Sequence, residues 1–317
     1  MPGPQHSPEA LLRRLEWTVL RRLDGLLQGN YRTLFRGLGL DLADLREYQY
    51  HDDVRYIDWN VTARLQTPYV REYFEDREVT AWFLVDLSAS MDFGARGELK
   101  RGVAREFTGV LARLLTRHGN RVGALLYGNQ IDTVIPAGGG RRHVLRILDR
   151  MSARAAPGNA AATDLESFLK GAIQYIPRRS LVFVVSDFIS APGWERALSQ
   201  LVQRHEVLAV RVYDPLEFEL PDLGLIVMTD AETGEQVFVD THDPGFRRRF
   251  VEVAERREQE LRAGLRKAAV DTLELSTEGE LLDAILRFSG LRRQRSRRSG
   301  GVPAGVRSRS SSEISVA

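Results

Sequence analysis

The chain has 317 residues, 43% of them apolar and 8% aromatic, which is enough to bury a sizeable core and excludes a wholly disordered or fibrous protein. Without cysteine it has no disulfide framework, thiolate zinc site or cysteine nucleophile, and it suits a reducing compartment. Lys and Arg (45) barely outnumber Asp and Glu (43), and seven Arg against one acid put +6 in residues 291–317, leaving −4 for everything before them. The basicity is local, so no nucleic-acid partner is expected of the folded part.

Residues 1–36 read as a flexible end followed by an amphipathic helix. Over 10–27, Leu12, Leu15, Val19, Leu23 and Leu26 recur every three or four positions. Arg13, Arg14, Arg21 and Arg22 cover much of its remaining surface. Such a helix docks with a solvated basic face or lies on a membrane surface, and docking is the reading adopted. Arg13 and Arg14 interrupt any secretory signal, and apolar runs such as 81–85 fall far short of the roughly 20 residues a membrane helix needs. A cytoplasmic protein without a transmembrane segment is expected. Residues 37–78 are dense in charge and aromatics, among them Arg46, Tyr48, Asp52, Asp53, Arg55, Tyr56, Asp58 and Trp59. Too aromatic for a solvated linker, this segment reads as a collar packed on the main sheet through ion pairs and Trp59, with a partner-facing surface as the alternative.

Residues 79–290 alternate strand and helix signals. Strands are expected over 79–85, 121–127, 131–135, 181–185, 207–213 and 272–275. Helices are expected over 99–115, 144–151, from Thr163-Asp164 to 175, and over 194–204, 244–268 and 278–288. Gly128-Asn129 marks a hairpin, and a second hairpin lies within 223–241. Repeated strand-then-helix units predict an α/β fold with a mostly parallel sheet and helices on both faces. The Ser- and Arg-rich residues 291–317 have no apolar period and read as disordered.

In open α/β sheets ligands bind at the carboxyl ends of the strands. After the first strand comes Asp86-Leu87-Ser88-Ala89-Ser90, whose alternating carboxylate and hydroxyls can converge on one point. Thr163 at a helix start and Asp187 at another strand end add two more hard oxygens, the ligand type Mg²⁺ prefers. Asp and Ser ahead of a helix are also ordinary capping residues. No Gly-x-Ser-x-Gly elbow and no Gly-x-x-x-x-Gly-Lys loop are present, so any ATPase is a separate protein. Only Lys100, Lys170 and Lys267 are lysines, a bias read as compositional.

Asp86-x-Ser88-x-Ser90, Thr163 and Asp187 together resemble the metal-ion-dependent adhesion site (MIDAS) of von Willebrand factor A domains. The resemblance implies Ser88, Ser90 and Thr163 as direct ligands of Mg²⁺ or Mn²⁺, Asp86 and Asp187 acting through water, and one position open to a partner's acidic group. Phe188 stands where those domains usually have Gly. Residues 39–48 and 52–59, with Asp214-Pro215-Leu216-Glu217, Leu220-Pro221 and 230–235, are similar to the bacterial family called domain of unknown function fifty-eight. That resemblance implies a von Willebrand A-like, non-enzymatic, chaperone-like module working with a MoxR-type AAA+ ATPase to assemble or mature other protein complexes. Many members carry two membrane helices ahead of this region, and this chain resembles the soluble form. The competing readings are a metal-dependent phosphoester hydrolase and nucleic-acid or membrane-surface binding through the basic tail.

Overall fold

The computed structural model describes residues 7–20, 22–23, 44–49, 52, 54, 57, 59–72, 80–94, 98–153, 163–229 and 236–299. Helix α1 (Pro8–Leu15) starts at Ser7, whose hydroxyl accepts the Ala10 N–H at 3.1 Å, an N-cap of the ordinary kind. A π turn over Glu16–Leu20 continues it, and the wider turn lets Val19 and Leu20 both reach the core. Strand β1 (Asp44–Glu47), helix α2 (Trp59–Leu65) and strand β2 (Tyr69–Glu72) follow, with β1 and β2 pairing antiparallel as a sheet of their own.

The main domain then runs β3 (Thr80–Asp86), α3 (Lys100–Arg117), β4 (Arg121–Tyr127), β5 (Ile131–Gly138), α4 (Arg141–Ala153), α5 (Leu165–Tyr175), β6 (Leu181–Ser186), α6 (Trp194–Arg204) and β7 (Glu206–Tyr213). After these come the hairpin β8 (Leu225–Thr229) and β9 (Gln236–Asp240), then α7 (Pro244–Lys267), β10 (Asp271–Ser276) and α8 (Leu281–Ser299). Six strands form one sheet in the order β10-β7-β6-β3-β4-β5, parallel except for β5, which the Gly128-Asn129 turn sends back antiparallel along β4. This is the mostly parallel α/β sheet with helices on both faces expected from the sequence.

Period-two alternation explains why the central strands read as continuous apolar runs. Ala81, Phe83 and Val85 point into a core shared with α1, α3, α4 and α8, while Trp82 and Leu84 point into a second core under α5, α6 and α7. Phe83 and Phe183 stack across the β3–β6 pair at 4.8 Å, each side chain contributing about 2–3 kcal/mol by burial. Gly123 lies beside Trp82 in the β3–β4 register, and a Cβ there would meet the indole at 2.7 Å.

The amphipathic helix within residues 1–36 docks as expected: Leu11, Leu12, Leu15, Val19, Leu20 and Leu23 complete the first core against α3 and α4. Two expectations are corrected. Trp59 is 68% exposed and does not pack on the main sheet, because it opens α2 beside the separate β1–β2 pair. Residues 291–317 are not disordered from the start, since α8 runs on to Ser299. Arg, Gln and Leu are good helix formers, so an established helix propagates there. Leu26, Asp53, Arg55, Tyr56, Asp58, the 230–235 turn and residues 300–317 lie outside the described residues. Among the described residues no helix is long and apolar enough to cross a membrane.

Candidate functional site

All five singled-out side chains are buried near the carboxyl ends of the parallel strands: Asp86, Ser88, Ser90, Thr163 and Asp187. Asp86 ends β3. Its Oδ1 accepts the Ser88 N–H at 2.9 Å, which bends the chain so that Ser88 and Ser90 bring their Oγ atoms within 3.2 Å of each other. A 3-10 turn over Ala89–Asp92 starts here, yet Ser88 at its N-cap makes no side-chain capping bond. The capping reading therefore does not account for the two hydroxyls.

Asp187 follows β6, the strand paired with β3. Ser186 links the two loops: its hydroxyl donates to Asp86 Oδ2 at 2.7 Å and accepts the Phe188 N–H at 2.9 Å. Asp187 Oδ1 accepts the Ile189 N–H at 2.9 Å. Between these contacts Phe188 takes φ +58°, the left-handed region that favours glycine. This explains why Gly is usual at that position, and the ring's burial against Trp194 at 5.4 Å offsets the strain here. The Thr163 carbonyl accepts the Ser190 hydroxyl at 2.7 Å and the Ala191 N–H at 3.3 Å, joining the α5 start to the same loop. Asp164 then caps α5 by accepting the Ser167 N–H at 3.0 Å.

Electrostatically the edge is short of positive charge. Burial, and after it the Asp187 carboxylate, push the Asp86 carboxyl up to about 6. The sequence reasoning missed the group that answers this charge: Lys100, at the start of α3, donates to Asp187 Oδ2 at 2.6 Å and to Glu217 Oε1 at 2.5 Å. Burial alone would lower the Lys100 ammonium, but Asp187 and Glu217 outweigh it and hold it above its ordinary value. Glu217 belongs to Asp214-Pro215-Leu216-Glu217, whose reciprocal capping box fixes a 3-10 turn after β7, and Asp214 Oδ2 accepts the Thr277 hydroxyl at 2.6 Å. The one available signal was a lysine in an arginine-rich chain. Among the described residues no group of three or more His, Asp or Glu is arranged to hold a metal ion, so a cation at this edge depends on the hydroxyls.

Fold and edge define an α/β domain that presents a buried hydroxyl and carboxylate cluster where its parallel strands end. The chain belongs to the family described as "Protein of unknown function DUF58", which it matches over residues 44–260. It is 37% identical over 285 residues to "Uncharacterized protein Rv1480" of Mycobacterium tuberculosis and equally to "Uncharacterized protein Mb1516" of Mycobacterium bovis, the alignments covering 90% of each chain. Solved structures similar to it include conserved hypothetical protein BatB from Bacteroides thetaiotaomicron, at 15% identity and TM-score 0.43 over 68% of this chain and 99% of that one. Manganese-loaded TRAP protein of Plasmodium vivax aligns at 17% identity and TM-score 0.31 over 42% of this chain and 57% of that one.

Proposed function

We propose that this chain is a protein-binding module rather than an enzyme, in which a divalent cation, Mg²⁺ or Mn²⁺, held at the carboxyl edge grips an acidic side chain of a partner. The observation that carries the reading is the buried pair of hydroxyls, Ser88 and Ser90, 3.2 Å apart and free of capping duty, beside two carboxylates at adjacent strand ends. The donor set fits the ion. All its atoms are hard oxygens, and Asp86 is a carboxyl whose ionisation is resisted by burial and by the neighbouring Asp187 carboxylate. Ser88, Ser90 and Thr163 would hold the ion directly, with Asp86 and Asp187 acting through water. When bound, the ion supplies a coordination position that a partner carboxylate completes.

The chain's own residues orient this arrangement. Ser186 holds Asp86 by one hydrogen bond while the Phe188 N–H fixes Ser186, and both sit on strand ends locked into the sheet. Two carboxylates and three hydroxyls suit reversible bridging, whereas hydrolytic two-metal sites gather several carboxylates to activate water. On the resemblance drawn from the sequence, the partner would be a MoxR-type AAA+ ATPase, with the chain presenting client proteins for assembly or maturation. The test is a pull-down of the cognate ATPase or client by wild type, by Asp86→Ala, and by wild type with a chelator. Capture lost in the last two supports the bridge; capture unchanged in both removes it.

A further inference from the structure

The carboxyl edge gathers Asp86, Asp187, Asp214 and Glu217, all buried or nearly so, and Lys100 is the one lysine buried with them among the described residues. Its placement is not explained by helix stability. As the first residue of α3 it puts a positive charge at the end of the helix dipole that disfavours it, so the carboxylates have to compensate. The backbone holds it there through its N–H to the Phe93 carbonyl at 3.0 Å, and the Phe93 ring lies 5.8 Å from Nζ. The residue is 1% exposed, so its ammonium cannot turn to solvent without opening the edge. A compact ammonium suits the space between two carboxylates in a way that a flat guanidinium does not, which accounts for a lysine here in a chain that has only two others, Lys170 and Lys267.

We infer that Lys100 is a resident cation of the site: it satisfies Asp187 when no divalent ion is present and holds the affinity for that ion down. The inference rests on the cation-site reading above. In a site neutralised by metal alone, Asp187 would find its positive charge only in the bound ion. Here one of its oxygens is already taken by Lys100 and the other by the Ile189 N–H. The ion therefore enters on the Asp86, Ser88 and Ser90 side against the repulsion of a fixed positive charge, which keeps its binding exchangeable. Loss of that charge removes the repulsion and frees two carboxylates, and both changes act in the same direction.

The test is Mn²⁺ titration of the full chain, read by electron paramagnetic resonance and by thermal melting, for wild type, Lys100→Met, Lys100→Gln, Lys100→Arg and Asp86→Asn, with folding checked by circular dichroism. The Met and Gln variants are expected to bind Mn²⁺ about tenfold tighter or more, and to gain more melting temperature from it than wild type. Lys100→Arg, if folded, is expected to bind no tighter than wild type. The Gln amide still donates to Asp187, so it carries the test if the Met variant does not fold. A variant unfolded in chelator but folded in Mn²⁺ supports the inference, because the ion then replaces the lysine. Folded Met or Gln variants that bind no tighter than wild type overturn the role of Lys100, while wild-type binding abolished by Asp86→Asn leaves the site reading intact. Absence of Mn²⁺ binding in wild type and all variants overturns both, whereas Met and Gln variants that both stay unfolded even with Mn²⁺ overturn the role of Lys100 alone.

Discussion

Phe188 allows a sharp test of how the loop after β6 is built. Its φ of +58° places a side-chain-bearing residue where glycine is at ease, at a strain of about 1–2 kcal/mol. Its ring, 3% exposed and tilted against Trp194 at 5.4 Å, returns more than that by burial. Phe188→Ala keeps the strain and loses the ring, an expected cost of about 3–5 kcal/mol. Phe188→Gly loses the ring too but relieves the strain, while adding about 0.5–1 kcal/mol of unfolded-chain entropy. The Gly variant should therefore be the more stable of the two by about 1 kcal/mol, the reverse of the usual order at a buried strand end. Urea unfolding followed by circular dichroism reads this as a midpoint higher by about 0.4 M for a slope near 2.5 kcal/mol/M. An Ala variant as stable as the Gly variant, or more so, would refute the claim that strain at this position is offset by the ring.

Burial holds the ion-free Asp86 carboxyl near 6, above its ordinary 3.8, so the folded protein prefers it protonated and loses stability from this group as pH rises through that window. An ion needs the carboxylate. Its affinity should fall about tenfold per pH unit well below 6 and level off above, and calorimetry in buffers of different ionisation enthalpy should detect proton release near pH 6; pH-independent binding would contradict this. His205 is buried with neither ring nitrogen partnered, and burial, with Arg204 adding to it, lowers its pKa from 6.5. The unfolded chain then binds the proton better, so stability from this group is lost as pH falls below 6.5, and His205→Leu should flatten that acid limb in a pH series of thermal melts. Gly123→Ala would drive a Cβ to 2.7 Å from the Trp82 ring and should cost about 1–3 kcal/mol by overpacking, read as a lower urea midpoint; a neutral result would mean that the indole shifts freely.

The parts of the fold legible in the sequence were those written in local periodicity. Ala81, Phe83 and Val85 against Trp82 and Leu84 gave a strand with two buried faces, and Gly128-Asn129 gave the one antiparallel turn of the sheet. Asp86, Ser88 and Ser90 were legible as a set because they converge within one turn. Lys100, Ser186 and Glu217 were not, since Lys100 meets Asp187 across 87 residues and Glu217 across 117, distances that only the crossovers close. Helix beyond Gly290 was not legible because the Arg- and Ser-rich sequence there has no apolar period, although Arg and Gln are good helix formers and α8 runs on to Ser299. Trp59 misled for the converse reason: aromatic density does not say which aromatic is inside.

A net charge of +2 spread over 317 residues is silent on all of this. What governs a buried site is the charge within a few ångströms, where water screens little and each uncompensated carboxylate must protonate or find a cation. At this edge the two answers sit side by side. Asp187 and Glu217 have theirs in Lys100, a cation the chain cannot lose, and Asp86 is held by the hydroxyls of Ser186 and Ser88 and by the Ser88 N–H. The site is thus divided into a half that carries a permanent cation and a half that is left wanting charge. On the proposed reading, only the second half needs an ion, and a partner carboxylate that arrives with one can leave without dismantling the first.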